Sequence, residues 1–127
     1  MWWSCRALTL MIISPEAGNA GQTKATLTSE GRPLGLESAS DFSGSPGITL
    51  EPDDLLFLHT DGIVEAGSSG GSGLFGIGRA LSIVREHRLE TPVKILDALF
   101  GAVSDFSLPQ GQVDDVTAVI IKVEAPA

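Results

Sequence analysis

The run Leu55-Leu56-Phe57-Leu58-His59-Thr60-Asp61-Gly62 decides how this chain is read. Its first four residues are apolar without interruption, and Glu51-Pro52-Asp53-Asp54 bounds them as a turn. A short apolar run closed off in that way predicts a buried strand. The strand ends on an acid, Asp61. Gly62 follows, a residue that lets the chain turn sharply and brings backbone close to whatever the carboxylate holds. A second acidic spot, Asp114-Asp115, stands just ahead of another strand, Val116-Thr117-Ala118-Val119-Ile120-Ile121-Lys122-Val123. One acid therefore follows a strand and the other precedes one. Antiparallel pairing of the two strands sets both acids at the same end of the sheet, which makes a site. Parallel pairing sets them at opposite ends, about 20 Å apart, which makes none.

Upstream, Gly47-Ile48-Thr49-Leu50 is expected to lead through a tight turn into the Asp61 strand as a hairpin-like pair. Leu8-Thr9-Leu10-Met11-Ile12-Ile13 predicts a strand stopped by Ser14-Pro15-Glu16-Ala17-Gly18. Residues 24–28 alternate weakly, as an edge or half-buried strand does. Ser29-Glu30-Gly31-Arg32-Pro33 is a turn, Leu34-Gly35-Leu36 a short apolar contact, and residues 38–46 a polar loop. Downstream, Ile63-Val64-Glu65-Ala66 suits one helical turn. Gly67-Ser68-Ser69-Gly70-Gly71-Ser72-Gly73 is a flexible insert without the lysine or the strand-to-helix spacing of a phosphate-cradling loop. Leu74-Phe75-Gly76 is expected to re-enter the core.

Two helices follow. Ile77, Ala80, Leu81 and Val84 recur at helical spacing, and the helix closes on the base-rich Arg85-Glu86-His87-Arg88. Thr91-Pro92 is a start signal, a cap and then a first-turn proline. Val93, Leu96, Leu99, Phe100, Val103 and Phe106 then form one expected apolar stripe, closed by residues 107–112. From residue 47 the order is strand, strand, helix, helix, strand. That order predicts an α+β fold, a mainly antiparallel sheet with a helix pair on one face, and this class favours the antiparallel alternative.

The totals bound the function. At 127 residues the chain is one domain with room for a real core. Sixteen acids against eight bases give a formal charge of −8. That argues against nucleic acid or an anionic membrane as partner, and an anionic substrate such as a phosphate ester would need bound cations to approach. Cys5 is alone, so neither a disulfide framework nor a zinc cluster is built. Residues 7–13 are too short for a signal peptide and lack a small-residue cleavage site. No apolar run reaches the ~20 residues of a membrane span. A soluble, cytoplasmic protein is the expectation.

Carboxylates from separate segments that converge at a sheet end suit a hard divalent cation, magnesium or manganese. Two such ions about 3.5–4 Å apart can clamp a phosphoryl group and make hydroxide available near neutral pH. The same residues also have a plainer reading. From the residues alone Asp61-Gly62 and Asp114-Asp115 are more often turns than ligands, and Asp53-Asp54 is expected to be a solvated turn. His59 and His87 have no partner spacing for zinc or a Ser/His/Asp triad. His59 is expected to be packed or at a rim, and His87 to compensate a helix dipole at the surface. Glu65 decorates a helical turn. No serine sits in a nucleophile elbow.

The segment Leu50-Glu51-Pro52-Asp53-Asp54-Leu55-Leu56-Phe57-Leu58-His59-Thr60-Asp61-Gly62-Ile63-Val64-Glu65-Ala66 closely resembles "L-x-P-G-D-x-L-x-L-Y-T-D-G-V-x-E-A" of bacterial metal-dependent PP2C-type serine/threonine phosphatases of the SpoIIE/RsbU kind. Phe75-Gly76 with Arg79-Ala80-Leu81 is similar to that family's "F-G-x-x-R-L". Val113-Asp114-Asp115-Val116-Thr117 is similar to its "D-D-x-T", and Arg32-Pro33-Leu34-Gly35-Leu36 to its "G-x-P-L-G-L". The matches fall in order over residues 30–123, and their combination is specific.

The resemblance implies a β-sandwich flanked by helices and hydrolysis of phosphoserine or phosphothreonine by water activated at two Mn2+ or Mg2+ ions. It implies metal ligation by Asp61 and Asp114, with Gly62, Asp115 and Thr117 supporting. Phosphorylated anti-sigma-factor antagonists or similar regulators are the implied substrates, and sensor domains the implied upstream neighbours. The family domain is longer, and its early acid-rich motif and "D-V-x-G-H-G" have no counterpart in residues 1–127. The chain therefore resembles the C-terminal portion of a single such domain. A non-catalytic module that binds a regulator is the alternative. Half of a sandwich also leaves an apolar sheet face or an open edge, which predicts marginal stability, aggregation or self-association.

Overall fold

The computed structural model describes residues 9–14, 23–27, 47–67, 73–107 and 116–126. Its elements are β1 (Thr9–Ile13), β2 (Thr23–Leu27), β3 (Leu55–His59), α1 (Asp61–Val64), α2 (Gly76–Glu86), α3 (Pro92–Ser107) and β4 (Ala118–Lys122), in that order. The strands form one antiparallel sheet in the order β2-β1-β3-β4, so the predicted α+β class stands. Residues 24–27 do form part of an edge strand. The β3–β4 register pairs Leu55 with Lys122 and His59 with Ala118. The end of β3 and the start of β4 therefore share one rim, as the antiparallel alternative requires.

The pleat sorts the side chains. Met11 and Ile13 of β1, Leu55 and Phe57 of β3 and Ile120 of β4 face the helices. There they join Ile63, Phe75, Ala80, Leu81, Val84, Ile95, Leu99 and Val103 in one core. The opposite face is also apolar. Cross-strand pairing aligns Leu27, Leu10, Leu58 and Val119 in one row and Ala25, Ile12, Leu56 and Ile121 in the next. Of these, Leu27, Val119 and Ile121 are exposed while Ile12 is buried.

The helices start where local chemistry puts them. Gly76, the first residue of α2, has φ +81°, a left-handed conformation that glycine adopts without strain. Thr91 Oγ1 accepts a hydrogen bond from the Lys94 amide at 3.4 Å, the predicted cap of α3.

Several expectations need correction. Residues 47–50 are exposed and form no strand, so β3 has no hairpin partner there; its neighbours are β1 and β4. Leu74 is exposed and only Phe75 of that triplet enters the core. On α3 the buried stripe is Ile95, Leu99 and Val103, with Leu96 and Phe106 packed beside it, whereas Val93 and Phe100 are exposed. The expected stripe was rotated by a fraction of a turn because Ile95 was passed over. The expected turns and loops at residues 15–18, 29–33, 38–46 and 108–112, the contact at residues 34–36 and most of the Gly/Ser insert lie outside the described residues.

Candidate functional site

The rim shared by β3 and β4 is fastened by one threonine pair. The Thr60 amide donates to the Thr117 carbonyl at 3.2 Å, and the Thr117 amide donates to Thr60 Oγ1 at 3.3 Å. Thr117, a supporting residue by the resemblance, is thus joined through its backbone to the residue next to Asp61. Sequence reasoning passed over Thr60 itself. Its signal was a hydroxyl residue between an apolar strand and an acid, where side-chain hydrogen bonds compete with regular structure.

Beyond Thr60 the chain turns into α1. Asp61 is its first residue, half-buried, and Gly62 and Ile63 are buried. The Glu65 amide donates to the Asp61 carbonyl at 2.8 Å, and the Phe75 amide to the Ala66 carbonyl at 2.7 Å, so α1 is tied into the entry to α2. The turn begins at Asp61 rather than at Ile63. An acid in the first turn of a helix is electrostatically favourable. Asp114 and Asp115 lie outside the described residues. Among the described residues no three His, Cys, Asp or Glu side chains cluster as a metal site. Among the described residues Asp61 offers, at this rim, a hard oxygen donor of the kind magnesium or manganese takes, and such ions are commonly held by one or two carboxylates with water completing the shell.

His59 lies beneath this rim. It is buried against Phe57, ring centroids 4.9 Å apart, and among the described residues neither ring nitrogen has a hydrogen-bond partner. Burial pushes the imidazole below its ordinary value, with the Thr60 backbone and the Asp61 charge opposing. It is a packed neutral histidine, one of the two expected roles. His87 caps the end of α2 and lies 3.3 Å from Glu90.

The opposite end of β3 corrects another expectation. Asp54 is fully buried rather than part of a solvated turn. Its Oδ2 accepts from the Glu51 amide at 2.8 Å and from Lys24 Nζ at 3.1 Å. The hydrogen bond to Asp54, joined by the charges of Asp54 and Glu51, holds the Lys24 ammonium above its ordinary value, with desolvation the main opposing effect. Asp53 has φ 67° at the third position of a turn closed by the Asp54 amide on the Glu51 carbonyl at 3.1 Å. Proline second and positive φ third is the type II pattern. This cluster belongs to the sheet's architecture, a strand length away from Asp61.

Two likenesses place the fold among known proteins. The chain matches the family model "Stage II sporulation protein E (SpoIIE)" over residues 2–124. It is similar in structure to the SiaA-PP2C domain of Pseudomonas aeruginosa, with a TM-score of 0.70 and 18% identity, over 92% of this chain and 43% of that one. At that identity the likeness speaks for the fold. The chain thus spans well under half of that structure's length. No curated protein matches the sequence significantly.

Proposed function

The chain belongs to the SpoIIE family, and from that premise we propose that it is the C-terminal portion of a PP2C-type phosphatase acting on phosphoserine or phosphothreonine with Mn2+ or Mg2+. The observation that carries this reading is the Thr60–Thr117 fastening, which brings the residue before Asp61 against a residue three positions after Asp114. Asp114 precedes Thr117 by three residues in the chain, and the proposed site sets it at the same rim. A bound cation there supplies an activated water and offsets the phosphate's charge. Asp61 and Asp114 hold it, Asp115 adds negative potential, Gly62 lets the chain turn beside it, and Thr117 sets the spacing. With a net charge of −8, the protein admits a phosphoryl group only where such a cation sits. The substrate of this reading is a small phosphorylated regulator of the anti-sigma-factor antagonist type, met in the cytoplasm, with a sensor domain upstream. No helix among the described residues is long and apolar enough to cross a membrane.

The test is hydrolysis of a phosphoserine peptide with and without manganese, repeated with Asp61→Asn and Asp114→Asn. Metal-stimulated turnover that falls about a hundred-fold in either variant is expected. The family's "D-V-x-G-H-G" has no counterpart in residues 1–127, and the second reading is a regulator-binding module without turnover. Absence of metal-stimulated hydrolysis by the folded chain would select it.

A further inference from the structure

The pairing of β3 with β4 changes character at the Asp61 end. In an antiparallel ladder every second facing pair exchanges two backbone hydrogen bonds, amide to carbonyl in both directions. The Val123 amide donates to the Asp54 carbonyl at 2.9 Å and the Thr60 amide to the Thr117 carbonyl at 3.2 Å, so 54/123 and 60/117 are pairs of that kind. Regular continuation would have the Thr117 amide return its bond to the Thr60 carbonyl. It goes elsewhere. The Thr117 amide donates to Thr60 Oγ1 at 3.3 Å, and the same hydroxyl donates to the Thr117 carbonyl at 3.5 Å. The Thr60 carbonyl accepts instead from the Ile63 amide at 3.3 Å, a bond that opens α1.

The side chain therefore stands in the sheet where the backbone would, and it gives up the role a threonine ordinarily has at this place. Thr60 precedes α1 with an extended backbone, φ −97° and ψ 166°. That is the position from which a hydroxyl caps the first helical amides. The Thr60 hydroxyl makes no such bond. Serine and threonine hydroxyls compete with backbone groups for local hydrogen bonds, and here the competition releases one carbonyl. Strand and helix then meet at a single residue. Asp61 directly follows the last hydrogen-bonded pair of the ladder and is itself the first residue of α1. The Glu65 amide on the Asp61 carbonyl at 2.8 Å holds that start in place.

We propose that Thr60 is a positioning residue for Asp61: its hydroxyl replaces its own carbonyl in the β3–β4 ladder and so fixes where strand becomes helix and where the Asp61 carboxylate sits on the rim. Without the hydroxyl the Thr117 amide takes the Thr60 carbonyl, the Ile63 amide loses its acceptor, and the start of α1 slips along the chain. Removing a group that orients a metal-holding carboxylate commonly costs about ten- to a hundred-fold in metal affinity. That consequence rests on the phosphatase reading. The exchange of acceptors between Thr117 and Ile63 does not.

Thr60→Val keeps the branched shape without the hydroxyl, and Thr60→Ser keeps the hydroxyl without the branch. Amide hydrogen exchange of both variants and of the unaltered chain, free of metal, reads the exchange of acceptors. In Thr60→Val the Ile63 amide should exchange about ten-fold faster while amides within α3 keep their rates, and Thr60→Ser should restore the slow rate. Manganese affinity, read by paramagnetic resonance of the free ion, should fall about ten-fold in Thr60→Val and return in Thr60→Ser. An Ile63 amide that exchanges equally in Thr60→Val and the unaltered chain would overturn the proposal. So would manganese binding that Thr60→Val leaves unchanged. A chain that binds no manganese in any form, yet shows the exchange pattern, would count against the phosphatase reading and leave the role of Thr60 standing. If Thr60→Val does not fold by circular dichroism, the unaltered chain decides through scalar couplings across its hydrogen bonds. Coupling of the Thr60 carbonyl to the Ile63 amide would support the proposal, and coupling to the Thr117 amide would overturn it.

Discussion

Asp53 occupies a backbone position that the turn would rather give to glycine. Its φ of 67° follows the proline of a type II turn, and a side chain there carries a steric penalty that glycine escapes. Asp53→Gly should therefore raise stability by about 0.5–1 kcal/mol, the relief of strain exceeding glycine's entropy loss on folding, measured as a higher urea midpoint with unchanged slope. His59 makes a second residue-scale claim. Its folded pKa is depressed by burial from 6.5, so the native state binds fewer protons than the unfolded one. Stability is then full above the unfolded value and falls as pH drops through 6.5 toward the folded value. The melting temperature should decline between pH 7 and pH 5 more steeply than in His59→Phe; equal slopes would show that the imidazole does not titrate on unfolding. Asp54 explains why single residues defeat sequence reading. Nothing in Pro52-Asp53-Asp54 distinguishes a solvated acid from one whose counter-charge, Lys24, arrives from 30 residues away and from a strand that is not its neighbour.

At the scale of elements the sequence was far more legible. The unbroken apolar run of β3, the Thr91-Pro92 start of α3 and the Ile77–Val84 spacing of α2 are each decided by neighbours within a turn or a strand, and each formed where expected. The faces of α3 were less legible, because Val93-Lys94-Ile95-Leu96 offers apolar residues in two directions and the sheet selects one. Leu99→Ala should destabilise the protein by about 2–5 kcal/mol, whereas Val93→Ala should stay within about 0.5 kcal/mol. Chemical denaturation of both variants checks this, and comparable losses would restore the rotated stripe. The hairpin expected from residues 47–50 failed for a related reason. Ile48 and Leu50 are exposed, and the partners that β3 takes instead, β1 and β4, lie far along the chain.

At the scale of the whole molecule, the element order favoured antiparallel pairing, and the register of β3 on β4 bears it out. That register puts Thr60 on Thr117 and so directs Asp61 and Val116 to one rim, while the Asp53–Asp54 turn and Lys24 occupy the other. The proposed function requires divalent ions to gather at the first rim. Manganese titration followed by paramagnetic broadening of backbone amide resonances tests it most directly. Signals of Thr60, Asp61, Gly62, Val116 and Thr117 should broaden first, at low metal, and Asp61→Asn should abolish that selectivity. Broadening centred on Asp53 and Asp54, or spread evenly over the surface acids, would contradict it.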